Sequence, residues 1–210
     1  MAAFAVSGGR ATNTCWREIT WNIAERAGAA LLLAAVVPPA ILLGAAIASV
    51  SGRSPLIAHK RVGWRGRTLW MLKFRTMWDN GSGGHALLME RVAGFAGCAG
   101  VTHPLALWMR RYSVDEFPQL WHVVTGEMAL VGPRPITHEE LMEHYGPAAA
   151  EVTSIRPGLT GLWQTRGRSK LNYRQRRRYD LFLVRNSGPG FFAKILIRTV
   201  PAVWGGVNAW

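Results

Sequence analysis

Cysteine is nearly absent from this chain: Cys15 and Cys98 are the 2 cysteines in 210 residues, and neither belongs to a CxxC or a Cys/His cluster. That spacing argues against a disulfide framework and a zinc site, and makes a reducing, cytoplasm-facing compartment the expectation. Acidic residues are scarce as well. Only 12 Asp and Glu stand against 25 Lys and Arg, a formal charge of +13. This balance points to a polyanionic partner: anionic lipid, nucleic acid or a phosphorylated substrate. Internal repeats and low-complexity tracts are missing. His59, His85, His103, His122, His138 and His144 are scattered without ligand spacing, so no metal is assigned to them. Tryptophan, by contrast, is abundant at 10 residues. Indole rings favour the boundary between water and lipid, which tilts the charge argument towards a membrane, and they are read as core or interfacial packing rather than a cofactor box.

Charge is missing altogether from residues 27–50, AGAALLLAAVVPPAILLGAAIASV. The run is membrane material by length, and the charged residues Arg17, Glu18, Glu25 and Arg26 before it argue against a cleaved signal peptide. Pro38 and Pro39 remove two amide donors at its midpoint, so a sharp bend is expected there. Each arm of about eleven residues reaches about 16 Å, roughly half the hydrocarbon core. Arg10, Arg17 and Arg26 precede the run and Arg53, Lys60, Arg61, Arg65 and Arg67 follow it. Both flanks therefore favour the cytoplasmic side, which a re-entrant helix–break–helix hairpin satisfies. A single proline-kinked transmembrane helix is the alternative.

The predicted organisation is an N-terminal segment with the re-entrant helix, residues 1–52, followed by one cytoplasmic catalytic or binding unit, residues 53–210. The fold class is α+β and mainly helical, with amphipathic interfacial helices and a short β element. VGWRGRTLWMLKFRTM reads as a turn or short hairpin, with Gly63 and Gly66 in the turn. Residues 79–106 are loop-prone at NGSGG. EFPQLWHVVTGEM is predicted helical after Ser113 with Gly126 as a stop, and GPRP, residues 132–135, is a rigid extended turn. HEELMEHY is a short amphipathic helix whose Glu139 and Glu140 form a solvated face. SKLNYRQRRRYDLFLVRN is a strongly basic, surface-lying helix, and FFAKILIRTVPAVW a second amphipathic segment that ends or bends near Pro201.

SVDEFPQL, residues 113–120, sets Asp115 beside Glu116 in this basic chain. Two readings stand. Ser113 followed by Glu116 matches a capping box, with Asp115 complementing the helix dipole. The pair is also bracketed by Arg110 and Arg111 on one side and by Arg134 of GPRP on the other, with Lys73 and Arg75 in the earlier KFRTM. Carboxylates among cations can hold Mg2+ or attack phosphorus, while the cations neutralise phosphoryl oxygens of an anionic substrate. RPGLTG, residues 156–161, is either a tight turn or a loop whose glycines let backbone approach a ligand. RQRRR, residues 174–178, reads as a solvated or lipid-facing face; nucleic-acid binding lacks a reading motif.

Taken together, the proline-interrupted run, PLIAHKRVGWRGRTLWMLKFRTM, RRYSVDEFPQLWHVVTGEMALVGPRP, RPGLTGLWQTRGRS and YDLFLVRNS resemble the small, monotopic phosphoglycosyl transferases of the bacterial sugar transferase family. The resemblance implies transfer of a phosphosugar from a UDP-sugar to polyprenyl (undecaprenyl) phosphate at the cytoplasmic face of the bacterial inner membrane. It implies polyprenyl diphosphate sugar and UMP as products, at the start of a glycoconjugate or exopolysaccharide pathway. It assigns Asp115 as the nucleophile that forms a covalent phosphosugar intermediate, Glu116 as its essential neighbour, and Mg2+ as cofactor, with Asp115 and Glu116 its expected ligands. Lys73, Arg75, Arg110, Arg134 and Arg156 are the candidate phosphate-binding residues. Expected partners are the donor, the acceptor and membrane lipid, with a homodimer left open and nucleic acid excluded. The rival reading is a non-enzymatic basic peripheral membrane protein that binds anionic lipid.

Overall fold

The computed structural model describes residues 9–77, 103–167 and 170–204. The NGSGG loop, residues 80–84, lies outside them.

Helix α1, Gly9–Ser51, holds the whole charge-free run. The expected helix, break, helix is here one helix, whose backbone stays helical through Pro38 and Pro39. Its register explains why continuity is tolerated. Glu25, Ala29, Leu33, Val36, Ala40, Leu43 and Ile47 are all buried or half-buried, while Ala34, Ala35, Pro38 and Pro39 are exposed. Steps of three and four residues make the first set one stripe, so packing on the rest of the protein runs past the prolines without a gap. The two lost amides would have paired with the carbonyls of Ala34 and Ala35, on the open side of the helix. Leu31, Ile41 and Leu42 stand on that open side, Leu42 at 73% exposure. By length and composition the segment Ile19–Ser51 is apolar enough to cross a membrane.

Strands β1, Leu56–Val62, and β2, Thr68–Phe74, form the expected antiparallel hairpin, with Leu56 opposite Phe74 and Val62 opposite Thr68. Arg65 and Gly66 supply the positive φ angles of the turn, 54° and 76°. Gly63 serves differently, since a Cβ there would sit 3.2 Å from the Arg67 carbonyl oxygen. Along β2 the period of two places Lys73 on the face of buried Leu69 and Met71. That inward register matters for the site.

Helix α2, Pro104–Arg111, leads into a 3-10 turn, Val114–Gln119, and then helix α3, Leu120–Thr125, which stops at Gly126 with φ 84°. The capping box expected at Ser113 is absent. Ser113 is left-handed, with φ 56° and no side-chain cap bond, because the chain reverses there between two short helical pieces. Glu116 turns instead to two cations, whose charge-assisted bonds outweigh a return to a backbone amide. Strand β3, Ala129–Val131, pairs in parallel with β4, Gly158–Thr160, so the RPGLTG segment is a strand at its centre. Gly132 and Gly158 press so closely that neither position has room for a Cβ. Capping boxes do form at Thr137 with Glu140 and at Asn172 with Gln175. The HEELMEHY segment is one α-turn, His138–Glu140, continued by a π-turn, Leu141–Tyr145. The basic helix α4, Tyr173–Arg185, and helix α5, Pro189–Trp204, complete the fold, α5 running through Pro201.

Helix α1 enters two of the cores. Ala29 packs with Leu69, Met71, Leu120, Val123 and Met128, and Ile47 packs with Phe74, Ala106 and Met109. Val114 lies against the second cluster, so the apolar floor under the acidic pair includes the C-terminal half of α1.

Candidate active site

Asp115 and Glu116 sit on the 3-10 turn between α2 and α3, over that floor. Lys73 reaches them from the inward face of β2: its Nζ lies 2.9 Å from Glu116 Oε1 and 4.0 Å from Asp115 Oδ2. Arg134, from GPRP, donates to the same Glu116 oxygen at 3.2 Å. Arg110, in the last turn of α2, adds positive charge near Asp115. Three cations from three separate elements thus surround two carboxylates.

The two acids are electrostatically unlike. Burial pushes the Asp115 carboxyl up to about 6, the negative charge of Glu116 adds to the rise, and Lys73 and Arg110 oppose it. Burial would also raise Glu116, but Lys73 and Arg134 outweigh it and hold that carboxyl down at about 2. One acid is therefore locked in its ionised form, and the other is an unusually basic carboxylate that is mostly ionised at neutral pH. A basic carboxylate is the better nucleophile. Phosphoryl chemistry also needs fixed cations, which are present. Mg2+ is commonly held by one or two carboxylates, with substrate phosphates and water completing its shell, and this donor set fits that pattern.

Not every expected phosphate ligand comes here. Arg75 donates through Nε to the Ser54 carbonyl at 2.8 Å, and its amide donates to Pro55 O at 2.8 Å, closing the root of the hairpin. Arg156 donates to Asn22 Oδ1 and faces Glu25 Oε2 at 3.7 Å, so its guanidinium is engaged with α1. Lys73, Arg110 and Arg134 are the members that the fold brings to the pair.

Other residues join the site that the sequence did not single out. Asp180 on α4 is fully buried and accepts from the Tyr145 hydroxyl at 2.6 Å, while its Oδ1 has no partner among the described residues. Burial pushes its carboxyl up to about 7 against the Tyr145 bond and the charges of Arg134 and Arg176. Arg176 lies over the Trp163 ring at 4.7 Å and Arg134 lies 6.0 Å from the same ring. Arg134 thereby links the acidic pair to an aromatic and guanidinium wall. Asp180 stands four residues after Arg176, on one helical face, a spacing that was visible in the sequence. On α3, His122 Nε2 accepts from the Leu72 amide at 3.2 Å while Nδ1 meets Glu127 at 2.6 Å. The bond to Leu72 fixes β2 just before Lys73.

Known proteins resemble this chain over most of its length. The family model described as bacterial sugar transferase matches residues 16–206. An exopolysaccharide production protein ExoY of Sinorhizobium fredii is 36% identical over 195 residues, covering 83% of this chain and 81% of that protein. A UDP-glucose:undecaprenyl-phosphate glucose-1-phosphate transferase of Caulobacter vibrioides is 34% identical, covering 87% of this chain and 69% of that protein. A UDP-galactose-lipid carrier transferase of Erwinia amylovora is 35% identical; there the match covers 83% of this chain but 38% of the longer relative. The chain belongs to the bacterial sugar transferase family, and so to the phosphoglycosyl transferases.

Proposed function

We propose that this protein transfers a phosphosugar from a UDP-sugar to polyprenyl phosphate in two displacements at phosphorus, as an initiating step of polysaccharide or glycoconjugate synthesis. An Asp115 carboxylate oxygen attacks the sugar-bearing phosphorus, the bond from that phosphorus to the UMP oxygen breaks, and UMP leaves as an anion. An oxygen of polyprenyl phosphate then attacks the same phosphorus, the bond to Asp115 breaks, and the carboxylate is regenerated. Neither step needs a net proton. The observation that carries this reading is the split pair: a basic, desolvated Asp115 beside a Glu116 kept ionised by Lys73 and Arg134. The printed activities of the relatives from Caulobacter vibrioides and Erwinia amylovora support the donor and acceptor classes.

Lys73, Arg110 and Arg134 hold the diphosphate and offset charge on its oxygens as the bond to UMP breaks. Mg2+ held by Asp115 and Glu116 would screen the same oxygens as a Lewis acid. Helix α1 sits at the cytoplasmic face of the membrane with its open apolar side in lipid and both ends on that face, rather than folding back at Pro38 and Pro39. Both of its halves are bound by the one catalytic unit, through Glu25 to Leu130 and through Ile47 to Phe74, which favours both ends lying on one side. This seat sets the acidic pair at the interface where the acceptor phosphate lies.

Replacing Asp115 by Asn and measuring UMP release from a panel of UDP-sugars, with polyprenyl phosphate and Mg2+, tests the assignment. Release is expected to fall to background. Full turnover in that variant would leave Asp115 dispensable, as the non-enzymatic lipid-binding reading requires.

A further inference from the structure

The strand that carries Arg134 towards Glu116 is held on one edge by β4 and on the other by the membrane helix. In β3, the Ala129 amide donates to Pro157 O at 2.8 Å, and the Gly132 amide beyond the strand donates to Thr160 O at 3.0 Å. The Leu130 amide points the other way, to an edge with no neighbouring strand among the described residues, where this sheet has two strands. There it donates to Glu25 Oε1 at 2.6 Å. The second Glu25 oxygen faces Arg156 at 3.7 Å, and Arg156 also donates to Asn22 one helical turn earlier on α1. The Glu25 side chain is 2% exposed. A carboxylate on a membrane helix thus fills the place of a missing strand.

This anchor bears on the acidic pair. After Val131 the chain reads Gly132, Pro133, Arg134, Pro135. The prolines have no amide to donate, so the approach to Arg134 is set by β3 together with two bonds on its β4 side, from the Gly132 amide to Thr160 O at 3.0 Å and from the Gly158 amide to Pro133 O at 2.9 Å. Gly132 is pressed against Gly158, two residues beyond Arg156, so both ends of the anchor converge on the base of GPRP. Arg134 then meets Glu116 at 3.2 Å. A displacement of about an ångström at a remote support can cost on the order of a hundredfold in rate.

We infer that Glu25 is a positioning residue for the reaction: through the Leu130 amide it ties the seat of the membrane helix to the placement of Arg134 on the acidic pair. This rests on the function proposed above. It assigns Arg156 to the support of the site rather than to substrate phosphate. It also gives a reason for a carboxylate at the edge of an apolar helix, where an unpaired charge would be costly.

Two conservative variants separate reach from charge. Glu25→Gln keeps an acceptor at the same reach for the Leu130 amide but loses the charge facing Arg156. Glu25→Asp keeps the charge but is one methylene short of Leu130. With wild-type enzyme in lipid nanodiscs, UMP release is measured at varied donor and acceptor, alongside the thermal transition. Glu25→Asp is expected to lower kcat by about tenfold or more, the range for loss of a supporting partner. KM for both substrates and the thermal transition should stay near wild type. Glu25→Gln is expected to hold kcat within about threefold of wild type, because the bond to β3 survives. Ile23→Ala, on the exposed face of the same helix, should leave kcat unchanged. The inference is overturned if Glu25→Asp turns over as fast as wild type, if Glu25→Gln is the slower variant, or if Ile23→Ala loses as much as Glu25→Asp. Wild-type enzyme without UMP release would instead count against the proposed reaction.

Discussion

At Asp115 the central question is why a carboxylate in so basic a chain is not simply neutralised by its neighbours. Lys73 approaches Asp115 to 4.0 Å but Glu116 to 2.9 Å, so Glu116 takes most of the benefit. Asp115 keeps the burial cost and gains a negative neighbour, which places its carboxyl at about 6. Attack requires the ionised form, so the rate should fall as pH drops through that value and level off above it. Arg110→Gln removes a charge that favours the carboxylate, and the acid limb of the pH–rate profile should move to higher pH. A profile of UMP release for the two enzymes checks this, and an unmoved limb would detach Arg110 from Asp115. Asp180 makes a prediction about stability. Its folded carboxyl, at about 7, lies above the ordinary value of 3.8. The folded state therefore keeps a proton that the unfolded chain has released between those values, and stability declines as pH rises from the lower value to the upper. Asp180→Asn retains a carbonyl acceptor for the Tyr145 hydroxyl and removes the titration. Thermal unfolding across pH should show a flatter slope for the variant, which should be the more stable protein above pH 7.

Among the elements, α1 shows what sequence patterning reveals and what it hides. The charge-free run announces a long apolar helix, and the hairpin is announced by its glycines and alternating residues. The prolines suggest a break by local chemistry, yet the packed stripe from Glu25 to Ile47 passes them on the opposite face. That outcome depends on surfaces brought in from β2, α2 and α3, which no local window contains. Ser113 with Glu116 fails in the same way. The three-residue spacing fits a capping box, but Lys73, 43 residues from Glu116, competes for its carboxylate. The anchor of Glu25 on Leu130 spans 105 residues and that of Asn22 on Arg156 spans 134. Such pairs are visible only once the chain has folded. The two faces of α1 can be told apart by experiment. Ile47 is fully buried against Phe74 and Met109, whereas Leu42 is 73% exposed. Ile47→Ala should cost about 2–5 kcal/mol of stability, and Leu42→Ala should leave the unfolding transition in place while weakening membrane retention. Equal losses in the two variants would contradict the assignment of faces.

For the whole molecule, a net charge of +13, an apolar helix open on one side and an anionic substrate pair all suit an enzyme working at a negatively charged lipid surface. Since the catalytic unit grips both halves of α1, residues 15 and 60 are expected on the same side of the membrane. Maleimide labelling of Cys15, and of a cysteine placed at Lys60, should show both protected or both reactive from a given side; opposite accessibility would mean a spanning helix. The proposed two-step transfer turns on the bond between Asp115 and phosphorus. Purified enzyme in nanodiscs, given a UDP-sugar it accepts but no polyprenyl phosphate, should release UMP in a single burst. Intact-protein and peptide mass spectrometry should then find one phosphosugar on Asp115, discharged when polyprenyl phosphate is added. Steady turnover with no adduct at Asp115, or an adduct on another residue, would contradict it.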